Sequence, residues 1–457
     1  MPEISEIPEA EGGVEFERIS AHTHIRGLGL DDEGKARDIG DGMVGQKKAR
    51  EAAGRVVNLV KKGKLGGRAV LLAGPPGTGK TATAVAMARE LGEDVPFIQL
   101  SGSQIFSAER DKTEILMESL RKALGIRLRE MREVYEGEVA SMKIETGQAA
   151  YNPYQRTASR AKITLRTKDE KKSLRLGSSV ATSLQNQQVK EGDVIQIDAE
   201  TGRIMKLGES RDSWKGEEAD ISVSPNLVDV PVGEIKKERE FVSTLNIHQI
   251  DSISARQARG GLSLFFGGGE AEIDNEIREA TDRQVKEWID GGKGELLPGV
   301  LFLDEVHMLD IEAFSFFNRA MEREFSPIVI LASNRGVTKI RGTDYESPHG
   351  MPLDLLDRLL IIDTHPYKKE EIKSILKIRA GEEEVELSEG ALDYLSEIGE
   401  NTSMRYAVQL IAPANEVAES RNRKKVEKED AKEARRLFIS VKDSIDILKQ
   451  YEEKMMD

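Results

Sequence analysis

Five short runs of apolar, mostly branched residues divide the chain and predict the strands of a central sheet. They cover residues 68–73, 96–100, 300–304, 328–333 and 359–364. All but the second are almost continuously apolar, which is the pattern of parallel strands buried on both faces. Helical periodicity follows over residues 80–91 and 311–323. This alternation of strand and helix predicts a doubly wound α/β fold with a five-stranded parallel sheet.

A segment with a different pattern of apolar and polar residues separates the second and third predicted strands. The gap is about 200 residues, far more than a crossover connection needs. Alternating stretches such as 162–167 (KITLRT) and 193–198 (DVIQID) lie in it, with turn signals at 192–193 and 201–202. They predict antiparallel strands, most simply a small inserted β-barrel. Beyond Pro366 the periodicity becomes helical again and predicts a small helical domain.

Composition narrows the location and the partners. The chain has no cysteine, which excludes disulfides and cysteine-based zinc sites and favours an intracellular protein. It has no apolar run of about 18 residues and no basic, apolar leader, so we expect a cytoplasmic protein without a membrane span. The formal charge of −14 repels phosphate on average. Any nucleic acid must therefore be bound by a local basic surface.

A glycine-rich motif follows the first predicted strand and begins the first predicted helix. The sequence GPPGTGKT matches G-x-x-x-x-G-K-[ST] and comprises Gly74, Pro75, Pro76, Gly77, Thr78, Gly79, Lys80 and Thr81. Main-chain N–H groups of such a loop surround a β-phosphate at the positive end of a helix dipole. We expect Lys80 to reach the β- and γ-phosphates and Thr81 to coordinate Mg²⁺. The alternative, a plain glycine-rich turn, is rare between a strand and a helix.

Polar residues end the next two predicted strands. The run LFLDEVH places Asp304 and Glu305 at one strand end, and PIVILASN ends in Asn334. We expect Asp304 to hold Mg²⁺, Glu305 to deprotonate the attacking water and Asn334 to position that water. Taken singly, the acids could be ordinary exposed carboxylates and Asn334 a turn former. Together with the glycine-rich loop, their order resembles that of AAA+ ATPases.

Two arginines complete the resemblance to AAA+ ATPases. Arg358 lies just before the last predicted strand, where AAA+ rings carry an arginine finger that reaches the neighbouring subunit's site. A structural salt bridge to Asp354 or Asp357 is the alternative. Arg405 begins a helix where AAA+ lids carry a sensor arginine, and a solvated helix arginine is its alternative.

A closer resemblance covers the chain from about residue 15 onward. Stretches such as ISAHTHIRGLGLD, PGVLFLDEVHMLDIE, SPHGMPLDLLDR and MRYAVQL resemble the RuvB-like ATPases, the family of Pontin and Reptin. The resemblance implies an AAA+ core at 1–124 and 298–365, an OB-like β-barrel insert at 125–297 and a helical lid at 366–457. It also implies ATP and Mg²⁺ as cofactors and a hexameric ring that can pair into a double ring. The absence of cysteine and the divergent insert favour an archaeal-type single-gene relative.

The resemblance also implies roles for residues outside the main motifs. They are a histidine pair over the nucleotide, His22 and His24; an adenine-contacting turn, Met43 and Val44; and lid residues near the base and ribose, Tyr367 and Ile375. A metal site at the two histidines lacks further ligands, because the chain has six histidines and no cysteine. A plain surface pair of histidines stays open.

Two functions share these residues, because both use the same site chemistry, and the resemblance favours the first. The first is a DNA helicase or translocase driven by ATP, and the second is an ATP-regulated scaffold or chaperone that remodels protein complexes. DNA would bind the insert or the pore of the ring. Eight basic residues of the insert oppose only Asp169 and Glu170: Arg156, Arg160, Lys162, Arg166, Lys168, Lys171, Lys172 and Arg175. On alternating strands part of this charge would share one face, although a merely solvated face is the alternative.

Overall fold

Strands and helices alternate through the part of the chain that the computed structural model describes, residues 22–64, 69–92, 94–106, 111–149, 152–212, 227–259, 273–323 and 325–445. The strands are β1 (Ile39–Gly40), β2 (Met43–Val44), β3 (Ala69–Ala73), β4 (Phe97–Ser101), β5 (Leu124–Ala149), β6 (Asn152–Arg166), β7 (Lys171–Leu176), β8 (Asp193–Asp198), β9 (Ile204–Ser210), β10 (Leu227–Val228), β11 (Lys236–Asn246), β12 (Gly294–Pro298), β13 (Val300–Asp304), β14 (Ile328–Ser333), β15 (Val337–Lys339), β16 (Glu346–Pro348), β17 (Leu359–Asp363), β18 (Glu386–Leu387) and β19 (Lys425–Val426).

The helices are α1 (Lys47–Lys61), α2 (Lys80–Leu91), α3 (Lys112–Lys122), α4 (Ser178–Asn186), α5 (Ile247–Arg259), α6 (Asn275–Asp290), α7 (Ile311–Ala320), α8 (Leu353–Leu356), α9 (Lys369–Glu382), α10 (Glu389–Asn401), α11 (Met404–Gln409), α12 (Ile411–Ser420) and α13 (Lys428–Leu437). None of them is long and apolar enough to cross a membrane.

One sheet is parallel and five-stranded, with its strands in the order β17-β3-β14-β13-β4. The inner strands β3 and β14 are buried along their whole length, as their continuous apolar sequences predict. The prediction of burial on both faces is wrong for β17. This strand is at the edge of the sheet, and the side chain of Ile361 is 53% exposed. An apolar sequence alone does not distinguish an edge strand from an inner one.

Helices cover both faces of this sheet, so the doubly wound α/β prediction is confirmed. Successive strand residues point to opposite faces: Leu71 packs into the cluster that contains Phe314 and Phe317 of α7, whereas Val70 and Leu72 pack into the cluster that contains α1 and α2. Helix α7 ends at residue 320, three residues before the predicted end, because the chain there continues in single turns.

Chain contacts divide the molecule into two compact units. The first contains the described residues within Met1–Ile126, Leu245–Arg283 and Leu296–Asp457, and the second those within Arg127–Thr244 and Gln284–Glu295. This division puts α5 in the first unit, although the predicted boundaries assign it to the insert. The boundaries 1–124, 125–297, 298–365 and 366–457 stay a prediction.

The second unit is built on one sheet with the strand order β10-β9-β8-β5-β6-β7, and β11 also pairs with β5. Strands β5, β6, β7, β8 and β9 pair antiparallel, as the alternating sequence predicts. Ile163 and Leu165 of β6 are fully buried in its core, together with Leu184 of α4. Closure of this sheet into an OB-like barrel stays a prediction.

Helices α9 to α13 form the C-terminal part of the first unit and confirm the predicted helical lid. Their apolar faces share a core that includes Leu376, Leu395 and Ile411, all fully buried. Side-chain caps start two of the helices: the Ser388 hydroxyl accepts from the N–H of Ala391. Ser403 does the same at α11. These caps satisfy N–H groups that the helix itself leaves without partners.

Candidate nucleotide site

The glycine-rich loop leaves β3 and enters α2 in a backbone conformation that its glycines allow. Gly77 and Gly79 have φ angles of 76° and 82°, in the left-handed region that residues with a Cβ atom rarely adopt. A Cβ atom on Gly74 would collide with the carbonyl oxygen of Thr364. The loop therefore curls closely at the start of α2, as the phosphate-binding interpretation requires.

Lys80 is the first residue of α2 and bends back toward the loop. Its ammonium donates hydrogen bonds to the carbonyl oxygens of Gly74 at 2.9 Å and Pro75 at 2.8 Å. Burial lowers the pKa of Lys80, whereas the nearby Asp304 carboxylate acts in the opposite direction. Thr78 stiffens the loop by donating from its hydroxyl to the same Pro75 carbonyl at 2.8 Å. The lysine is thus a buried cation held at the loop.

The predicted acidic and amide residues lie beside the loop because parallel strands end at one edge of the sheet. In the register of β13 and β4, Asp304 is opposite Ser101. In the register of β14 and β3, Ser333 is opposite Ala73, the residue before the loop. Asn334 follows Ser333 directly, so the amide comes next to the glycine-rich loop.

Glu305 is held by its backbone and by a neighbouring hydroxyl. Its φ angle of 52° is left-handed, and its N–H donates to Oδ1 of Asp304 at 2.8 Å. Ser101 donates from Oγ to Oε2 of Glu305 across 3.4 Å, near the limit of a hydrogen bond. A strained, exposed carboxylate with one weak partner is free to accept a proton from water.

The strand ends, the N-terminal segment and the lid enclose a cavity of about 560 Å³. This size falls within the range of about 300–1,000 Å³ typical of small-molecule sites. The predicted residues on its wall are His22, His24, Met43, Val44, Pro76, Gly77, Gly79, Lys80, Thr81, Asp304, Glu305, Asn334, Tyr367, Ile375 and Arg405. Gly74, Pro75 and Thr78 belong to the same loop but not to the wall.

Further residues on the wall were not predicted from the sequence. They are Ile25, Gly42, Ala82, Ile378, Arg379, Glu383, Met404, Val408, Gln409 and Ala412. Helical spacing could have identified some of them, because Ile378 and Arg379 are three and four residues after Ile375 on α9. The same spacing joins Val408 to Met404.

The two histidines lie on the cavity wall with their ring centroids 6.3 Å apart. Burial, together with the charges of His24, Arg379 and Arg405, lowers the pKa of His22 to about 4. Burial also lowers the pKa of His24, whose Nδ1 has no hydrogen-bond partner among the described residues. Both rings are therefore neutral at pH 7, and neither stands on an open surface.

Arg405 brings a positive charge to the cavity from the lid. It follows Met404 at the start of α11, where the Ser403 hydroxyl accepts from the N–H of Tyr406 at 3.2 Å. Its charge contributes to lowering the pKa values of both Lys80 and His22. Arg405 and Lys80 line the same cavity, so the guanidinium can add positive charge near a residue expected to bind phosphate.

Arg358 is not on the wall of this cavity. It precedes the first residue of β17, whereas the glycine-rich loop follows the carboxyl end of the neighbouring β3. Its Nη1 pairs with Oε1 of Glu322 at 2.5 Å, and both side chains are exposed. The alternative of a salt bridge to Asp354 or Asp357 is therefore wrong about the partner, because the chain after α7 brings Glu322 closer.

The residues predicted to hold Mg²⁺ offer a sparse set of oxygen ligands. Thr81 and Asp304 both line the cavity. Nowhere in the described ranges do three His, Asp or Glu side chains gather as a metal site. This donor set fits Mg²⁺, which keeps several waters and takes phosphate oxygens together with one or two protein ligands.

The second unit carries a basic face on β6 and β7. Arg160, Lys162 and Arg166 alternate with buried residues along β6, so they point to one side. In the register of the two strands Lys162 is opposite Arg175, and Arg166 is opposite Lys171. These five side chains, all exposed, are called the basic face below.

The remaining predicted bases do not belong to this face. Lys172 is opposite the buried Leu165, and its ammonium lies 5.7 Å from the ring centroid of Tyr135. Lys168 is in the turn between β6 and β7. The side chain of Arg156 lies outside the described part. Within the basic face, Arg166 is paired with an acid, since its Nη2 lies 2.6 Å from Oε2 of Glu138.

Comparison with protein-family models gives two matches that follow the order of these features. The model described as the TIP49 P-loop domain matches residues 18–370, which hold the glycine-rich loop and the acidic and amide strand ends. The model described as the TIP49 AAA-lid domain matches residues 375–440, which hold Arg405. Together the matches cover most of the chain.

Proposed function

Because this chain belongs to the TIP49 family of RuvB-like AAA+ ATPases, we propose that it hydrolyses ATP at the subunit interfaces of a hexameric ring and couples hydrolysis to movement on DNA. ATPase chemistry is what the family match itself supports. One observation carries the proposal for the site: a phosphate-binding loop, two acids, an amide and a lid arginine, far apart in sequence, surround one cavity.

The reaction we propose is attack of water on the γ-phosphorus of ATP. Lys80 and the loop N–H groups bind the phosphates, and Arg405 adds charge from the lid. Glu305 takes the proton of the attacking water, and Asn334 orients that water. The new P–O bond forms as the bond to the β–γ bridging oxygen breaks, leaving ADP and phosphate. Thr81 and Asp304 would hold Mg²⁺, which neutralises charge on the phosphate oxygens.

The position of Arg358 supports a site completed by a neighbouring subunit. It precedes β17, a strand of five residues, so roughly 16 Å separate it from the carboxyl edge of the sheet. A side chain cannot cover that distance to its own subunit's γ-phosphate. Arg358 is exposed beside an edge strand, where a second copy can approach it. We propose that Arg358 stabilises the transition state in the next subunit of the ring.

The basic face supports DNA as the track. It concentrates positive charge on exposed strands of a chain that is acidic overall, which suits contacts to phosphates. Glu138 pairs with Arg166 of this face, but the two acids within the basic stretch of the sequence are engaged elsewhere. Asp169 accepts from the N–H of Gly233 at 2.6 Å. Glu170 accepts from the N–H of Ile235 at 2.8 Å. They therefore neutralise the basic face less than their positions in the sequence suggest.

ATPase turnover with and without single-stranded DNA tests this function, with particle mass measured by light scattering on the same samples. We expect a hexamer-sized particle whose turnover rises with DNA, and Glu305→Gln protein provides the background rate. Stimulation by protein partners but not by DNA would favour the scaffold function instead. A monomer with full turnover would contradict hydrolysis at subunit interfaces.

A further inference from the structure

Arg50 is a fully buried arginine on α1 that the reaction above does not use. Its guanidinium donates to four main-chain carbonyl oxygens: from Nε to Leu28 at 2.7 Å, from Nη2 to Gly29 at 2.8 Å, and from Nη1 to Arg37 at 2.7 Å and Gly45 at 3.0 Å. Burial lowers the pKa of Arg50, but an arginine stays charged at neutral pH because its ordinary value is above about 12. Burying a charged side chain is costly, so a buried arginine whose partners are all main-chain carbonyl groups indicates a specific role.

The four carbonyl groups belong to the segment that forms one wall of the nucleotide cavity. Leu28 and Gly29 follow the wall residues His22, His24 and Ile25. The other two carbonyls, of residues 37 and 45, bracket the β1–β2 turn, which contributes Gly42, Met43 and Val44 to the same wall. Arg50 thus binds the main chain of both wall-forming segments but does not itself line the cavity.

The two segments also touch each other, so a shift of one moves the other. Arg26 donates from its N–H to the carbonyl oxygen of Asp41 at 2.8 Å. A Cβ atom on Gly42 would collide with the carbonyl oxygen of His24. The planar fork of a guanidinium can meet several carbonyls in fixed directions, whereas the ammonium of lysine is a point donor. The position therefore requires the arginine fork and not only a positive charge.

The phosphate-binding loop is anchored separately from this wall. Lys80 and Thr78 are held by carbonyls of the loop itself, and none of the four acceptors of Arg50 belongs to that loop. The two halves of the cavity can therefore respond differently to one substitution.

We propose that Arg50 is a positioning residue that sets how tightly the base end of the nucleotide is held and how well adenine is distinguished from guanine. The inference rests on the proposed function, since it takes the cavity to be the ATP site. It predicts that loss of the arginine fork loosens the wall formed by residues 22–25 and 42–44, while the loop for the phosphates keeps its shape.

Calorimetric titration of Arg50→Lys with ADP, GDP and inorganic tripolyphosphate tests this inference. The four carbonyls lose hydrogen bonds from a charged donor, so we expect ADP affinity to fall about tenfold and the preference for ADP over GDP to shrink. Tripolyphosphate has no base, and its affinity should not change. The matched control is Arg55→Lys, on the exposed side of the same helix, and it should bind all three ligands like the wild type.

Equal losses for ADP and tripolyphosphate would show a general structural role and overturn the inference, as would unchanged ADP affinity and base preference. A wild-type protein that binds neither ligand would instead contradict the proposed function. Hydrogen exchange of the wild-type protein provides a test that does not depend on a variant folding. ADP should protect the amides of residues 26–45 more than tripolyphosphate does, and equal protection would overturn the inference.

Discussion

The nucleotide cavity and the basic face of the second unit gather polar groups in opposite ways. The cavity collects single side chains from segments as distant as His22 and Arg405. Some of them are held individually: Glu305 has a left-handed backbone, and Lys80 donates to carbonyl groups of the loop. The basic face takes its charges from two adjacent strands and leaves them exposed. The cavity should therefore depend on individual atoms, whereas the basic face should depend on summed charge.

The largest effect should come from Glu305, the carboxylate proposed to accept the proton of the attacking water. Glu305→Gln keeps the size of the side chain and removes the base, so we expect hydrolysis to slow by about 10³ or more. ATP affinity should stay near the wild-type value, because in the proposed site the loop and Lys80, and not Glu305, bind the phosphates. Single-turnover hydrolysis and equilibrium binding of ATP measure the two effects separately.

Lys80→Ala is the matched contrast, since it should lose affinity together with turnover. If Glu305→Gln hydrolyses ATP at the wild-type rate, the assignment of Glu305 as the base is wrong. The expectation that the cavity depends on individual atoms would then be wrong as well.

Arg358→Ala should have the next largest effect, a loss of about 10³ in turnover. The exposed side chain is not on the wall of the cavity of its own chain, so we expect the defect to arise at the proposed interface with a neighbouring subunit. Mixing Arg358→Ala with Glu305→Gln subunits should restore part of the activity, because an intact Glu305 can then receive an intact arginine from its neighbour. ATPase turnover across mixing ratios measures this complementation.

Arg319→Ala is the control, since Arg319 is an exposed arginine on the nearby α7 and should retain turnover. Mixtures that stay inactive despite proven subunit exchange would contradict the role of Arg358 between subunits.

The sequence predicted the central sheet and the glycine-rich loop well because local patterns decide both. Strand β14 and helix α2 have the predicted bounds, since their apolar periods and flanking turns are unambiguous. The partner of Arg358 was beyond prediction: Glu322 lies 36 residues away and meets it only through the packing of α7. The carbonyl partners of Arg50 could not be predicted either. Every residue has a main-chain carbonyl group, so the sequence does not show which of them a side chain meets.

The basic face could be predicted only in part. The sequence gives the number of basic residues, but the pairing of the strands decides to which side of the sheet each side chain points. Lys171 and Lys172 are neighbours in sequence but point to opposite sides of the sheet. A count of basic residues cannot separate them. The same distinction provides a matched pair of variants for the next prediction.

Neutralising two charges of the basic face should weaken single-stranded DNA binding about tenfold at low salt. The variant is Lys162→Gln/Arg175→Gln, whose residues are opposite each other on β6 and β7. The slope of log affinity against log salt should fall by about 1.4 if both side chains contact phosphates. Fluorescence anisotropy across a salt series measures both quantities, and basal ATPase turnover should not change.

The control for this prediction is Lys168→Gln/Lys172→Gln, which removes the same charge away from the basic face. Equal effects of the two variants would mean that overall charge, and not this face, governs binding. No effect of either would move attention to the pore of the ring.

The smallest effect should come from His22→Ala/His24→Ala, which removes part of the cavity wall but no group that acts on phosphate. We expect ADP to dissociate roughly three times faster, and turnover to rise where release limits it.

The two histidines should also affect how the stability of the folded protein depends on pH. Because burial lowers the pKa of His22 from 6.5 to about 4, the unfolded chain binds a proton in this interval that the folded protein does not, so stability falls as the pH drops from 6.5 toward 4. Thermal unfolding across this range should show a larger loss for the wild type than for the variant, and stopped-flow release of a fluorescent ADP should show the faster dissociation. Parallel pH profiles with equal release rates would contradict a role of the two histidines in nucleotide release and leave them as residues that only line the cavity.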